Sequence, residues 1–218
     1  MFQIKLSIVA SALFVVLAGA ISYAQTTISG VQSGTLGPGQ YLVVGEVTVG
    51  GQDTLTIMPG TEFLHNGNHQ WKIYGLFIAE GMENDSISFV RQNPVENHRW
   101  GGLRFQSGAS ANSTIDYVII DNCKNEFNFN YDLGGGIYTD GVPITVTNSR
   151  ISECDNYWGG GGVYASSANI IIENCIIVDC EAFDDGDEGG NGGGIYLYNC
   201  GDAQILNNII ARNIATGG

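Results

Sequence analysis

The stretch from Gly134 to Cys154, GGGIYTDGVPITVTNSRISEC, returns twice in altered form, as GGGGVYASSANIIIENCIIVDC and as GGGIYLYNCGDAQILNNIIARN. Each copy spells glycines, one aliphatic residue, a tyrosine, a short gap, an alternating strand, an asparagine and a second strand. Four nine-residue segments superpose without a gap: Ile115–Cys123, Val146–Cys154, Ile172–Cys180 and Ile205–Asn213. The first column holds Ile115, Val146, Ile172 and Ile205; the third holds Tyr117, Asn148, Asn174 and Asn207. The sixth is isoleucine throughout (Ile120, Ile151, Ile177, Ile210), and the ninth reads Cys123, Cys154, Cys180, Asn213. Successive units lie 31, 26 and 33 residues apart. A variable period around fixed strand positions is the mark of a solenoid, in which each unit covers the apolar face of the one before.

The repeating element is a strand. Apolar residues alternate with period two, as in Ile144, Val146 and Ile170, Ile172, and no sustained helical period follows residue 24. Asparagine tolerates left-handed backbone, so the third column marks a bend. Three short strands per unit, stacked so that like strands lie about 4.8 Å apart, make a parallel β-helix. Parallel crossovers are right-handed, which sets the hand. The 32 glycines among 218 residues, with only 4 prolines, fit a chain with many turns and exclude collagen.

The strand–Asn–strand unit and its Gly-Gly-[Ile/Val] start resemble the right-handed parallel β-helix proteins of the pectate-lyase-like superfamily, most clearly over residues 100–218. The resemblance implies an all-β solenoid of three short strands per coil. Upstream, Leu55–Ile57, Leu76–Ile78 and Leu103–Phe105 lie 21 and 27 residues apart, and Gly75-Leu76 and Gly102-Leu103 match the Gly-Ile and Gly-Val of later coils. On this reading residues 25–54 form an entry segment capping the first coil, and residues 55–218 form the coils. The chain stops at Thr216-Gly217-Gly218, where the next repeat is due, as a truncated stack would.

Residues 1–24 read as an export signal: Lys5, the apolar run LSIVASALFVVLAGAI, and small residues Ser22 and Ala24 before Gln25. The competing reading, a membrane anchor, fits less well with a small-residue exit followed at once by a polar, Gly-rich stretch. A secreted or surface-held protein with no span after cleavage is expected, and a monomer. A net charge of −14 argues against nucleic acid, whose phosphates need a basic face.

Stacking turns like residues into columns. Cys123, Cys154 and Cys180 should point inward, and in-register neighbours about 4.8 Å apart exceed the roughly 3.8 Å Cβ separation a disulfide favours. A file of buried thiols is therefore expected despite the oxidising compartment, with Cys175 and Cys200 single occupants of other columns. If Ile137, Val163 and Ile195 face inward, Tyr138, Tyr164 and Tyr196 face outward, with Arg104 one coil earlier in the same column. Such a strip either stacks on sugar rings or packs along the sheet.

Three loops emerge beside it, carrying Phe127, Phe129, Tyr131, Tyr157, Trp158 and Phe183 among acids such as Glu126, Asp132 and Asp155. Aromatic residues on variable loops over a rigid scaffold make a glycan-binding face. Asp184, Asp185, Asp187 and Glu188 form a candidate calcium site, the one cofactor suggested, against the alternative of a solvated acidic loop. The resemblance implies that an enzyme on this scaffold would use a basic residue against a uronate, and Arg104 and Lys124 are the candidates nearest that face. No lyase signature surrounds either. His65 and His69 lie on a turn-rich segment, without the helix a zinc protease needs. The expected function is a non-catalytic, adhesin-like module binding extracellular polysaccharide or a cell-surface glycan. A calcium-dependent polysaccharide lyase or a glycoside hydrolase is the alternative.

Overall fold

The computed structural model describes residues 25–125, 133–183 and 190–216. The expected export signal (1–24) lies outside the described residues. So do Glu126, Phe127, Phe129, Tyr131 and Asp132 of the first loop and Asp184, Asp185, Asp187 and Glu188 of the calcium candidate. Apart from a 3-10 turn at Glu96–His98, every regular element described is a β-strand, and the pairings between strands are parallel.

Most strands form three faces that wind around one axis, and in the later coils a short parallel stack of Asp155–Asn156, Glu181–Phe183 and Ile214–Thr216 follows face B. Face A stacks Gly34–Leu36, Thr54–Ile57, Leu76–Glu80, Thr114–Asp116, Thr145–Thr147, Ile171–Glu173 and Gln204–Leu206. Face B stacks Thr61–His65, Ile87–Arg91, Val118–Asp121, Arg150–Ser152, Ile176–Val178 and Ile209–Ala211. Face C stacks Trp71–Ile73, Leu103–Phe105, Ile137–Asp140, Val163–Ser166 and Ile195–Tyr198. The chain passes A, B, C in turn, so each strand's neighbour is its counterpart one coil away.

Single left-handed residues make the corners. Between faces A and B stand Tyr117, Asn148, Asn174 and Asn207, at φ 50, 48, 55 and 54°. This is the third column of the repeat, and asparagine bears the conformation at low cost because its short side chain bonds locally. The corner after face B is equally left-handed at Asn122, Glu153, Asp179 and Arg212, with φ between 51 and 59°. No shared residue type announces that second corner: Asn122 and Asp179 tolerate the conformation, while Glu153 and Arg212 are held in one their side chains disfavour.

The sixth column becomes one file, internal at Ile120, Ile151 and Ile177 and 47% exposed at Ile210. Ile120 pairs with Ile151, Ile151 with Ile177 and Ile177 with Ile210, and the file runs back through Phe89 and Phe63 to Tyr41. Ile120, Ile151 and Ile177 are fully buried, each contributing about 1.5–3 kcal/mol. The core changes character along the axis. Later coils are filled by Ile, Val and Cys, and earlier ones by Phe63, Trp71, Phe77, Phe89, Trp100 and Phe105, all without solvent exposure. Neighbouring rings meet mostly edge-on or tilted, such as Phe63 and Trp71 at 4.8 Å and 71°. The thiols of Cys123, Cys154, Cys175 and Cys180 are free and buried, and Cys200 is free and half-buried.

The upstream alignment needs correcting. Leu55 pairs with Phe77, one residue beyond Leu76, so Phe77 faces inward and Leu76 outward. Leu103 belongs to face C, between Trp71 and Ile137, and is not a counterpart of Leu76 at all. The entry segment is already solenoid. Gly39–Val49 runs along two faces, pairing with Thr61–His65 through its first half and with Trp71–Ile73 through its second. Thr26–Val31 pairs in parallel on its other side.

Candidate functional site

The glycine run sets the position of each tyrosine. Gly160 takes φ +69°, and a Cβ on Gly161 would stand 2.5 Å from the Glu181 carbonyl oxygen and closer still to that of Gly193. Only glycine lets the loop backbone press against the next coil before face C resumes. Val163 then points inward and Tyr164 outward.

The outer file of face C runs Lys72, Arg104, Tyr138, Tyr164, Tyr196 in register. Tyr138 and Tyr164 stack at 5.5 Å with rings 6° from parallel, and Tyr164 meets Tyr196 at 5.6 Å and 63°. The expected exposed strip is nevertheless largely covered. Tyr164 is only 6% exposed and Arg104 only 3%, because loop residues fold over them. Arg104 Nη1 donates to the carbonyls of Leu133 (2.9 Å) and Gly134, and Nη2 to that of Gly135 at 3.4 Å. Its guanidinium carbon lies 6.0 Å from the Tyr138 ring centroid. Arg104 thus ties down residues 133–135 and is not a solvent-facing contact. Burial pushes the Tyr164 phenol up; Ser166 opposes this and the nearby Asp140 carboxylate adds to it.

What remains open is a groove of about 200 Å³ lined by Leu133, Trp158, Tyr164, Asn191, Tyr196 and Tyr198. It lies where the loops of two successive coils stack. Asn191 N donates to the Trp158 carbonyl at 3.1 Å, and Gly160 N donates to that of Asn191 at 2.9 Å. Asn156, fully buried, accepts from Trp158 N and Gly159 N at 2.9 and 2.8 Å, which fixes the turn that carries Trp158. Behind it Tyr157 packs edge-on against Trp158 (5.9 Å) and Phe183 (5.0 Å). So Trp158 and Tyr196 line the groove, Tyr164 forms its floor, and Tyr138, Tyr157 and Phe183 do not line it. Tyr198, 52% exposed, was missed because its register partner Ser166 breaks the column. Strand alternation from Tyr196 would have found it.

A second cavity, of about 300 Å³, lies at the corner after face B, among Arg91, Glu96, Arg99, Asn122, Glu153, Asp155 and Asp179. Arg99 pairs with Asp155 and donates to the Cys123 and Glu153 carbonyls at 2.7 Å each. Burial alone would lower Arg99, but the Asp155 hydrogen bond and charge outweigh it and hold the guanidinium above its ordinary value. Lys124 Nζ lies 2.6 Å from Glu96, and the Lys124 hydrogen bond keeps that carboxyl below its usual range. These charges clasp the 91–100 loop to the corners.

Of the histidines His65 and His69 only His65 lies in the interior. His65 is fully buried, with Nδ1 3.0 Å from the Val90 carbonyl and Nε2 accepting from Trp71 Nε1 at 3.0 Å. His69 Nε2 lies 3.3 Å from Asn66 Oδ1. Among the described residues no three His, Cys, Asp or Glu side chains group as a metal site, and no helix is long and apolar enough to cross a membrane.

A family model described as a right handed beta helix region matches residues 68–217. No curated protein and no solved structure matches the chain.

Proposed function

The chain belongs to the right-handed β-helix family, and from that premise we propose that it is an exported, non-catalytic module that binds extracellular polysaccharide. The observation that carries this is the groove. Trp158, Tyr196 and Tyr198 border an open trough with Tyr164 beneath, on a scaffold whose strands hold the rings in place. Sugar rings present C–H faces that pack on aromatic surface, while their hydroxyls bond to side chains such as Asn191 and to water. Residues 1–24 support export, and with it a secreted or surface location in which an adhesin-like monomer meets glycan.

A lyase on this scaffold ranks lower. Arg104, in the outer file beside the groove, is buried and directs both Nη atoms to backbone carbonyls. Lys124 is held by Glu96. Calorimetric titration with defined hexasaccharides tests the reading: binding without turnover is expected, and Trp158→Ala and Tyr196→Ala should each weaken it about tenfold, or about 1.4 kcal/mol. Growth of ultraviolet absorbance from an unsaturated uronide, with polygalacturonate or alginate and Ca²⁺, would replace the binding module with the enzyme.

A further inference from the structure

The groove offers rings and uncharged polar groups, and the cations near it are turned elsewhere. Resting on the glycan reading above, we infer that it takes a neutral polysaccharide and rejects chains bearing uronate or sulfate. Leu133, Trp158, Tyr164, Asn191, Tyr196 and Tyr198 carry no charge. A carboxylate entering such a trough sheds hydration, and the loss is recovered only if a cation or several donors meet it.

The outer file of face C contains two cations, and neither is free to do so. Arg104 is 3% exposed, with both Nη atoms on the carbonyls of residues 133–135 and its guanidinium near the Tyr138 ring. Lys72, one coil further away, lies 2.6 Å from Glu46. The register of face C also puts a carboxylate, Asp140, in the same column as Tyr198, two coils earlier. At longer range the chain's net charge of −14 repels a polyanion before it docks. A neutral sugar meets none of these penalties.

The test uses hexasaccharides in matched pairs that share a backbone and differ in charge: cellohexaose with its C6-oxidised uronate, mannohexaose with mannuronate, and galactohexaose with galacturonate. Binding is followed by calorimetry without added calcium. At about 20 mM salt the neutral member of the bound pair should bind at least about tenfold more tightly. Screening at about 0.5 M should cut the gap to about threefold or less, because the Debye length falls below the size of the groove. Tyr198→Arg, which places a cation at the rim, should narrow the gap at low salt. Equal or tighter binding of an acidic member would overturn the inference and leave the glycan reading standing. A gap that ignores salt and the Tyr198→Arg change would also overturn it. Failure of every hexasaccharide to bind would overturn both.

Discussion

Acid should loosen the opening coils through His65. Its ring sits between the Val90 carbonyl, which can only accept, and the Trp71 indole N–H, which can only donate. One neutral tautomer satisfies both: Nδ1 carries the proton and Nε2 the lone pair. Protonating Nε2 would set two N–H groups against each other inside an aromatic cluster, with Trp100 stacked 4.2 Å away. Burial, partly opposed by the Val90 hydrogen bond and reinforced by His69, pushes the imidazole from 6.5 down to about 3. The unfolded chain therefore binds a proton at a higher pH than the folded one. This contribution to stability is complete above 6.5 and is lost progressively as the pH falls toward 3. At about pH 4.5 the loss is about 2.7 kcal/mol, from 1.36 kcal/mol per pH unit. Carboxylates titrate over the same range, so the comparison is with His65→Gln, whose amide can donate to Val90 and accept from Trp71 but does not titrate. Urea unfolding followed by tryptophan fluorescence reports this region directly, because Trp71 and Trp100 flank the ring. The variant should be less stable than the parent at about pH 7, and its deficit should shrink by about 2.7 kcal/mol at about pH 4.5. A deficit that stays constant with pH would refute the neutral, doubly bonded imidazole.

Ile151→Ala removes the centre of the internal file between Ile120 and Ile177 and should cost about 2–5 kcal/mol in urea unfolding. Gly161→Ala forces a Cβ onto the carbonyls of Glu181 and Gly193, so its midpoint should fall and binding through the adjacent Trp158 groove should weaken with it. Asn213 bridges the last two coils, accepting from Cys180 N and donating to the Ile177 carbonyl, both at 2.9 Å. Asn213→Ala should cost about 1–3 kcal/mol and raise amide exchange at Cys180. Burial pushes the Cys154 and Cys175 thiols up; Cys180 is pushed up by its contact with Cys154 and by burial. A thiol reagent at about pH 8 should modify the half-buried Cys200 quickly and the four buried thiols only on unfolding.

The coil was legible in the sequence because stacking converts tertiary neighbours into a repeat. Ile151 touches Ile120 and Ile177, so the same demand falls on the same column in every unit. The asparagine corner was readable for the same reason, since Asn148, Asn174 and Asn207 meet one backbone requirement. The upstream register was not readable. With Phe63, Phe77 and Phe89 filling the core and unequal loops between strands, Leu76 and Phe77 are both plausible inward residues until the strand pairs with Leu55.

The groove was decided by tertiary structure in larger part. Alternation determines that Tyr138, Tyr164 and Tyr196 leave the same side of face C. Whether they reach solvent depends on loops that do not repeat, and these cover Arg104 and most of Tyr164 while leaving Tyr196 and Tyr198 open. A periodic sequence specifies its scaffold many times over, because each coil is the template for the next. Its surface is specified once, by loops of unequal length and composition, and only the folded chain brings Trp158 to Tyr196.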